Sequence, residues 1–421
     1  MPAPSPSSPV LTFEDARRAV EAQAAKIQVH EIETLDLIES AGRALAEPIS
    51  ADRDIPPFAR ATRDGYAVRA SDLANLPATL NVVAEIRAGA KAEDIPSDIA
   101  LGQAASIMTG APVPSGADAV VMIEYTTQLG DAVQVTRGVA TGENVVPKGA
   151  EAPRGRVLLA PGTKLTEAGI ALLASVGKAK LRVYTRPRVA ILTTGDEIVG
   201  IERQPGPTQI RNSNSYSLAV QIQQAGGEPV ILPIAPDEAG KLRPLIEEGL
   251  RSDLLILTGG VSMGRYDLVE QVLTEMKAEF FFTGAKIQPG RPVVFGRVPR
   301  GADAADDKRT TYFFGLPGNP ISTMVTFELF ARPMLEALSG MIPSRLAFLH
   351  ARLKSEIRVK TGLKRFLPAL LSGEFEKSEV ELVAWQGSGD IAATTRANCY
   401  IVVPPDIERI KAGEWVAVMM R

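Results

Sequence analysis

Three short loops concentrate the residues able to do chemistry: Thr193-Thr194-Gly195-Asp196-Glu197, Gly259-Gly260-Val261-Ser262-Met263-Gly264 and Leu316-Pro317-Gly318-Asn319-Pro320. Each follows an apolar run of strand type, which predicts a place at the carboxyl edge of a parallel sheet, where open α/β sheets bind ligands. Taken singly, each loop reads equally well as a strand-to-helix turn. Three on one edge favour a binding site. Asn319 ahead of Pro320 reads as a helix cap with proline at the first helical position, which leaves backbone N–H groups for an anion such as a phosphate. Asp196, Glu197 and Asp267 bring acid to the same edge. An anionic ligand would meet each carboxylate at a cost of about 4 kcal/mol per close pair at intermediate dielectric. Either a hard cation bridges them or water solvates them, and Mg²⁺ is the natural bridge because carboxylate and phosphate oxygens are its preferred ligands.

Other patterns point elsewhere and carry less. Gly260-Val261-Ser262-Met263-Gly264 fits the GxSxG elbow of serine hydrolases. The one histidine after Ser262 is His350, in the alternating stretch HARLKSEI, where it reads as a strand-face residue and not as a general base. Gly387-Ser388-Gly389-Asp390-Ile391-Ala392 fits GxGxxA, yet ATTRANCYIVV downstream reads as loop and strand, without the helix that a dinucleotide site needs. The phosphate-loop pattern GxxxxGK[ST] does not occur. Lys286 and Arg291, five residues apart around a Pro-Gly turn, and Arg365 can supply positive charge. Asp64 in Arg63-Asp64-Gly65-Tyr66 and Thr109 in Met108-Thr109-Gly110-Ala111-Pro112 have, on residue type alone, a turn role.

The elements that must position these loops follow from hydrophobic period. Between Pro187 and about Gly340 the strand runs VAILTTG, PVILPI, DLLILTGG and YFFGLPG alternate with the helical runs YSLAVQIQQAG, LRPLIEEGL, DLVEQVLTEM and ISTMVTFELFARPMLEAL. That alternation predicts a parallel sheet covered by helices on both faces. Residues 80–136, with NVVAEI, AVVMI and AVQV between Gly and Pro clusters, predict a small β-rich domain, and the stretch beyond Met341 predicts a barrel-like or sandwich-like β domain. Thr12 followed by Glu14 and Asp15 marks a helix start, a second helix is expected over Leu35 to Ala46, and a third over Thr166 to Val176. Residues 1–10, with four prolines among serines, predict a disordered tail.

Composition bounds the rest. A chain of 421 residues is too long for one hydrophobic core, and 45% hydrophobic with 23% charged residues is ordinary globular composition. A net charge of -3 argues against a dedicated nucleic-acid binder. No apolar run reaches the roughly 18 residues of a membrane span, and the opening MPAPSPSSPV has neither the basic nor the apolar region of a secretion signal, so a cytoplasmic protein is expected. His30, His350 and Cys399 are too few for a structural zinc within one chain, and Cys399 in its apolar run reads as a core residue.

The segments PPFARATRDGYAV, IMTGAPVPSGADAVV, TTGDE, GGVSMGRYD, PGRP and LPGNPIS, in this order, resemble the molybdopterin molybdenumtransferase family, to which the E domain of gephyrin also belongs. The resemblance covers nearly the whole chain after the tail. It implies Mg²⁺-dependent insertion of molybdate into adenylylated molybdopterin, releasing AMP and leaving molybdenum cofactor. It also implies an elongated homodimer of four-part subunits, with the cleft between the α/β domain of one subunit and the β-rich domain of the other. Contact with a molybdopterin adenylyltransferase and with apo molybdoenzymes is a further expectation. The expected division is 1–50 with 147–184 as a helical linker domain, 51–146 as an inserted β-rich domain, 185–340 as the α/β/α molybdopterin-binding domain and 341–421 as a C-terminal β domain.

Carried over by position, Asp64, Thr109, Glu197 and Asp267 are similar to functional residues of the family, and Lys286, Arg291, Pro317 and Pro320 to cleft residues. Asp196, Glu197 and Asp267 are expected to hold Mg²⁺ or orient the metal oxyanion. Ser262, the backbone of Gly259, Gly260 and Gly264, and Asn319 are expected to cradle phosphates. Gly195, Ser213, Asn214, Gly318, Arg365 and Ser388 complete the expected substrate-binding set. Departures from the family pattern fall at Glu151, one methylene longer than the usual Asp, at Gln288-Pro289-Gly290-Arg291 where many members read Lys-Pro-Gly-Lys, and at Arg63 where Met is frequent. The rival activities are adenylation of molybdopterin, which shares the α/β fold and similar loops, and a gephyrin-like scaffold without catalysis. The DGYAV and TGAPVP segments favour the transferase.

Overall fold

The computed structural model describes residues 10–259, 268–299, 310–374 and 376–421, and two compact units emerge from it. One comprises the chain up to Ala46, Gly162–Thr166 and Leu181–Arg421; the other comprises Glu47–Pro161 and Glu167–Lys180.

In the larger unit a six-stranded sheet runs in the order Glu228–Ile231, Arg188–Thr193, Leu254–Thr258, Thr310–Leu316, Val294–Pro299, Glu279–Phe282. The first four strands are mutually parallel and the last two antiparallel, so the expected α/β domain carries a mixed sheet. Side chains alternate along each parallel strand: Val189, Ile191, Leu254 and Ile256 enter one core, and Ala190, Leu192, Leu255 and Leu257 the other. A strand buried on both faces must be apolar at every position, which is why these runs read as continuous hydrophobic stretches. Helices Asn214–Gln224, Ala239–Gly249 and Leu268–Glu275 connect the strands. The chain steps from Arg188–Thr193 to one neighbour and then returns to pair on the other side, which creates a switch point between Arg188–Thr193 and Leu254–Thr258.

The C-terminal part closes on itself. Lys364–Ser372, Glu379–Leu382, Phe348–Leu353, Trp415–Met420 and Cys399–Val403 pair in a ring of five, because the first and last of these also pair with each other. Its interior holds Leu353, Leu367, Ala369, Val380, Cys399, Ile401 and Val418, whereas Phe366, Tyr400, Val402 and Met419 point outward into the core of the α/β sheet. The strand period of two thus builds both the barrel and its attachment. In the smaller unit, Gly65–Val68, Ala78–Ile86, Gln103–Ile107, Ala119–Met122, Thr126–Leu129 and Ala132–Val135 form one mixed six-stranded sheet with cores on both faces.

Several local expectations need correction. Helix Phe13–Ala24 begins at Thr12 as predicted, with its side chain accepting from the Asp15 N–H, and a helix spans Glu167–Ser175. The helix expected over Leu35 to Ala46 does not form. Ile32–Asp36 is a strand paired with Lys180–Tyr184, and the N–H groups of Gly42, Leu45 and Ala46 donate to the carbonyls of Leu165, Thr163 and Arg182. Long-range backbone pairing has displaced a locally plausible helix. Of the expected disordered tail, residues 1–9 lie outside the described residues, and Val10–Leu11 is a strand paired with Gly284–Ala285. Downstream of Gly387-Ser388-Gly389 a single helical turn, Ile391–Thr394, intervenes before the strand, capped by Asp390. Four residues are one turn, too short for a dinucleotide-binding helix.

Candidate active site

The switch point gathers the loops. Thr194 leaves its strand with its N–H bound to the Thr258 carbonyl, and Asn214, in the first turn of the next helix, donates through Nδ2 to Thr258 Oγ1 at 2.9 Å and to the Gly318 carbonyl at 2.7 Å. Thr258 Oγ1 in turn donates to the Pro317 carbonyl at 3.1 Å. One amide therefore ties together loops that are distant in sequence. Gly259 has φ +86°, and a Cβ there would fall 2.4 Å from the Thr194 carbonyl oxygen, so the conformation and the space both demand glycine. A Cβ on Gly318 would lie 3.6 Å from the Gly259 Cα, and one on Gly195 would lie 2.6 Å from Glu197 Oε2. Gly259 thus meets Thr194 on one side and Gly318 on the other, with Asn214 bonded to the Gly318 carbonyl and Gly195 next to Thr194 in the chain, and this strand-end junction is the crevice of the site. Ser213 stands at the N-cap of its helix, half-buried and without a side-chain capping bond.

Acidic groups flank this crevice. Asp196 and Glu197 are exposed, and Asp196 Oδ1 accepts the Asp237 N–H at 3.2 Å. Asp237 is itself exposed, and partial desolvation, then the negative charges of Asp196 and Glu197, push its carboxyl above its ordinary range. Asp237 was not singled out from the sequence, because APDEAG carries no motif. The available signal was its position: it follows PVILPI, a fourth parallel strand whose loop must reach the same edge. Among the described residues no three His, Cys, Asp or Glu side chains converge as a metal cage. The excess negative charge at Asp237 nevertheless suits a hard cation, and Asp267 lies outside the described residues, as do Gly260, Ser262 and Gly264.

The third loop departs from its expected role. Asn319 is the N-cap of helix Pro320–Thr326 with Pro320 at its start, but the Asn319 side chain makes no capping bond, and the Ile321 N–H donates to the Ser388 carbonyl at 3.0 Å. That N–H is not available to an anion. The same bond places Ser388 on the helix start, although its own motif reads as accidental.

Positive charge collects where strand Ile287–Gln288 pairs with Lys364–Ser372 in a register that sets Gln288 opposite Arg365. Lys286 and Arg291 are exposed. Arg365 is 6% exposed, donates to Gln288 Oε1 and to the Lys360 carbonyl, and has no carboxylate partner among the described residues. Burial pulls its guanidinium below its ordinary range. A buried cation held only by neutral acceptors is poised for an anion.

In the smaller unit Asp64 and Thr109 meet directly. Asp64 Oδ1 accepts the Thr109 N–H at 2.7 Å and the Thr109 Oγ1 hydroxyl at 2.8 Å. Those two bonds, the backbone one first, hold the carboxyl below its ordinary range. Glu151, the longer acid noted above, reaches Arg60 at 3.1 Å. His350 is an exposed strand residue and Cys399 a buried one, whose thiol burial pushes up to about 11. A separate cavity of about 460 Å³ lies between Leu250, Met276, Val298 and Thr311, where strand Thr310–Leu316 begins, away from the three loops.

A mixed α/β sheet with glycine loops and carboxylates at its switch point, and a buried guanidinium without a carboxylate partner among the described residues where the barrel meets it, defines an enzyme of the class that binds an anionic small molecule through an α/β domain. Residues 190–337 match the family described as "Probable molybdopterin binding domain", residues 11–177 "MoeA N-terminal region (domain I and II)" and residues 350–420 "MoeA C-terminal region (domain IV)". The molybdopterin molybdenumtransferase of Nostoc sp. is 34% identical, covering 92% of this chain and 88% of its own, and that of Bacillus subtilis is 34% identical, covering 93% and 90%. The crystal structure of the molybdopterin biosynthesis moeA protein from Pyrococcus horikoshii OT3 superposes with a TM-score of 0.74 at 28% identity, covering 98% of this chain and all of that one. The chain belongs to the molybdopterin molybdenumtransferase family. No helix among the described residues is long and apolar enough to cross a membrane.

Proposed function

We propose that this enzyme transfers molybdenum from molybdate to adenylylated molybdopterin, releasing AMP and molybdenum cofactor. The observation that carries the reading is the junction where Gly259 meets Thr194 and Gly318, with Gly195, Asp196 and Glu197 following Thr194 in the chain and Asp196 bonded to Asp237. The open glycine backbone receives the ligand. Arg365, Lys286 and Arg291 hold its phosphates, and Ser388 lies beside helix Pro320–Thr326. Asp196, Glu197, Asp237 and Asp267 hold Mg²⁺, which supplies charge neutralisation between carboxylates and phosphate oxygens. Asp64, fixed as the anion by Thr109, serves the same reaction from the β-rich region of a partner copy in a cytoplasmic homodimer. With no histidine at the crevice, acceleration comes from positioning and electrostatics.

The test is AMP release from adenylylated molybdopterin with and without molybdate and Mg²⁺. Release that needs both, with a product that activates an apo molybdoenzyme, is expected. Formation of adenylylated pterin from ATP and molybdopterin would instead identify an adenylyltransferase. Sedimentation gives the mass of the assembly, and a monomer that retains full turnover would remove the shared cleft.

A further inference from the structure

Two buried polar atoms at the switch point have no hydrogen-bond partner among the described residues: Thr194 Oγ1 and Asn214 Oδ1. Thr194 is 3% exposed and Asn214 8%. Buried polar groups are satisfied as a rule, so an orphan in a crevice points to something that completes it. The orientation of Asn214 is not arbitrary. The Gly318 carbonyl can only accept, so the nitrogen must face it, and Thr258 Oγ1 accepts from the same nitrogen because its own proton goes to the Pro317 carbonyl. The amide oxygen is therefore left as a pure acceptor. Thr194 Oγ1 lies 3.3 Å from the point where a Cβ of Gly259 would stand, so it faces the bare Cα of that glycine. Its N–H is committed to the Thr258 carbonyl, and the bridge that aligns it with Ala235 is made by its neighbours, the Thr193 carbonyl and the Gly195 N–H. The hydroxyl thus sits between the glycine crevice and the loop that carries Asp237.

We propose that Thr194, a member of the TTGDE segment with no role of its own assigned there, is a further substrate-binding residue, and that its hydroxyl and the Asn214 amide oxygen together receive N–H donors from the neutral ring of the ligand. The assignment rests on the proposed function. An oxyanion cannot satisfy Asn214 Oδ1, since both are acceptors, so the phosphates belong elsewhere, at the cations around Arg365. A pterin ring, with a ring N–H and an exocyclic amino group, offers the donors that the two atoms lack. The pair would select the ring and orient it within the crevice, and a ligand without such donors would leave them unpaired at a cost in affinity.

An orphaned hydroxyl has an unusual signature: deleting it removes a binding contact without removing a structural one. Molybdopterin and, separately, AMP are titrated into the wild-type protein, Thr194→Val and Thr194→Ser, with thermal melting of each unliganded protein alongside. Thr194→Val is expected to weaken molybdopterin binding about tenfold, to leave AMP binding unchanged and to melt no lower than wild type. Thr194→Ser is expected to bind as wild type. Unchanged molybdopterin binding by Thr194→Val overturns the assignment, as does a lowered melting temperature, which would give the hydroxyl a structural partner. Equal weakening of AMP and molybdopterin overturns the placement of the ring. Absence of molybdopterin binding by the wild type overturns the functional reading and this assignment with it, whereas wild-type binding that Thr194→Val leaves intact overturns this assignment alone.

Discussion

The residues of the crevice are set against one another in ways that make their charge states informative. Asp237 is the sharpest case, because partial desolvation of this exposed side chain and two neighbouring carboxylates raise its pKa above the unfolded value. When pH exceeds the folded pKa, the unfolded chain releases this proton more readily than the folded one, so ionised Asp237 opposes folding. The cost disappears as pH falls through the folded pKa. Asp237→Asn should therefore melt higher than wild type at pH 7, with the difference closing as the pH approaches about 4, and should lose Mg²⁺-dependent AMP release. Melting curves across that range, paired with turnover, check both halves. A variant that is less stable at neutral pH would show that the carboxylate is already neutralised by a partner. The departure at Gln288 has an equally local reading: its amide oxygen accepts from Arg365, where a lysine ammonium would repel the guanidinium.

At the level of elements, the sequence displays periodicity well and pairing poorly. The strands of the α/β sheet were legible because burial on both faces leaves continuous apolar runs, and the helix at Thr12 was legible from its cap. The segment 35–46 has a helical pattern locally but is not a helix, because its partners lie more than a hundred residues downstream at Thr163, Leu165 and Arg182, where no local window can see them. The site divides the same way. Gly259 and Gly318, both in motif loops, lie together at the strand ends, whereas the Asn214 bond that ties them, the acid Asp237 and the unpartnered state of the Thr194 hydroxyl emerge only when strand ends are brought together. The junction itself is testable. Gly259→Ala must abandon a positive φ and move its Cβ away from the Thr194 carbonyl, which should cost roughly 1–3 kcal/mol. Urea unfolding should show a lower midpoint with the slope unchanged, and molybdopterin binding should fall with it. Wild-type stability would mean that the strand end relaxes without strain.

Across the larger unit, the N-terminal helix does what neither the sheet nor the barrel can do alone. Phe13 is 6% exposed, with its ring 6.0 Å from that of Phe330 beneath the α/β sheet and 5.4 Å from that of Phe366 on the outer face of the barrel. Lys364 of the barrel reaches over the same ring at 4.6 Å and pairs with Glu14 at 2.5 Å. The exposed ion pair adds little, so aromatic packing carries this connection. That matters for the site, since Arg365 is a barrel residue and is held against Gln288 of the α/β region by the same contact surface. Phe13→Ala should remove about 3–5 kcal/mol and, because the cavity opens between the two bodies, should loosen their joint melting. Calorimetry is expected to show one transition for this unit in the wild type and two in the variant, and affinity for AMP should drop as Arg365 loses its fixed place. If the unit still melts in one step with AMP affinity intact, the strands Ile287–Gln288 and Lys364–Ser372 hold the barrel in register unaided, and the helix is a cover for the core and no part of what positions the cation.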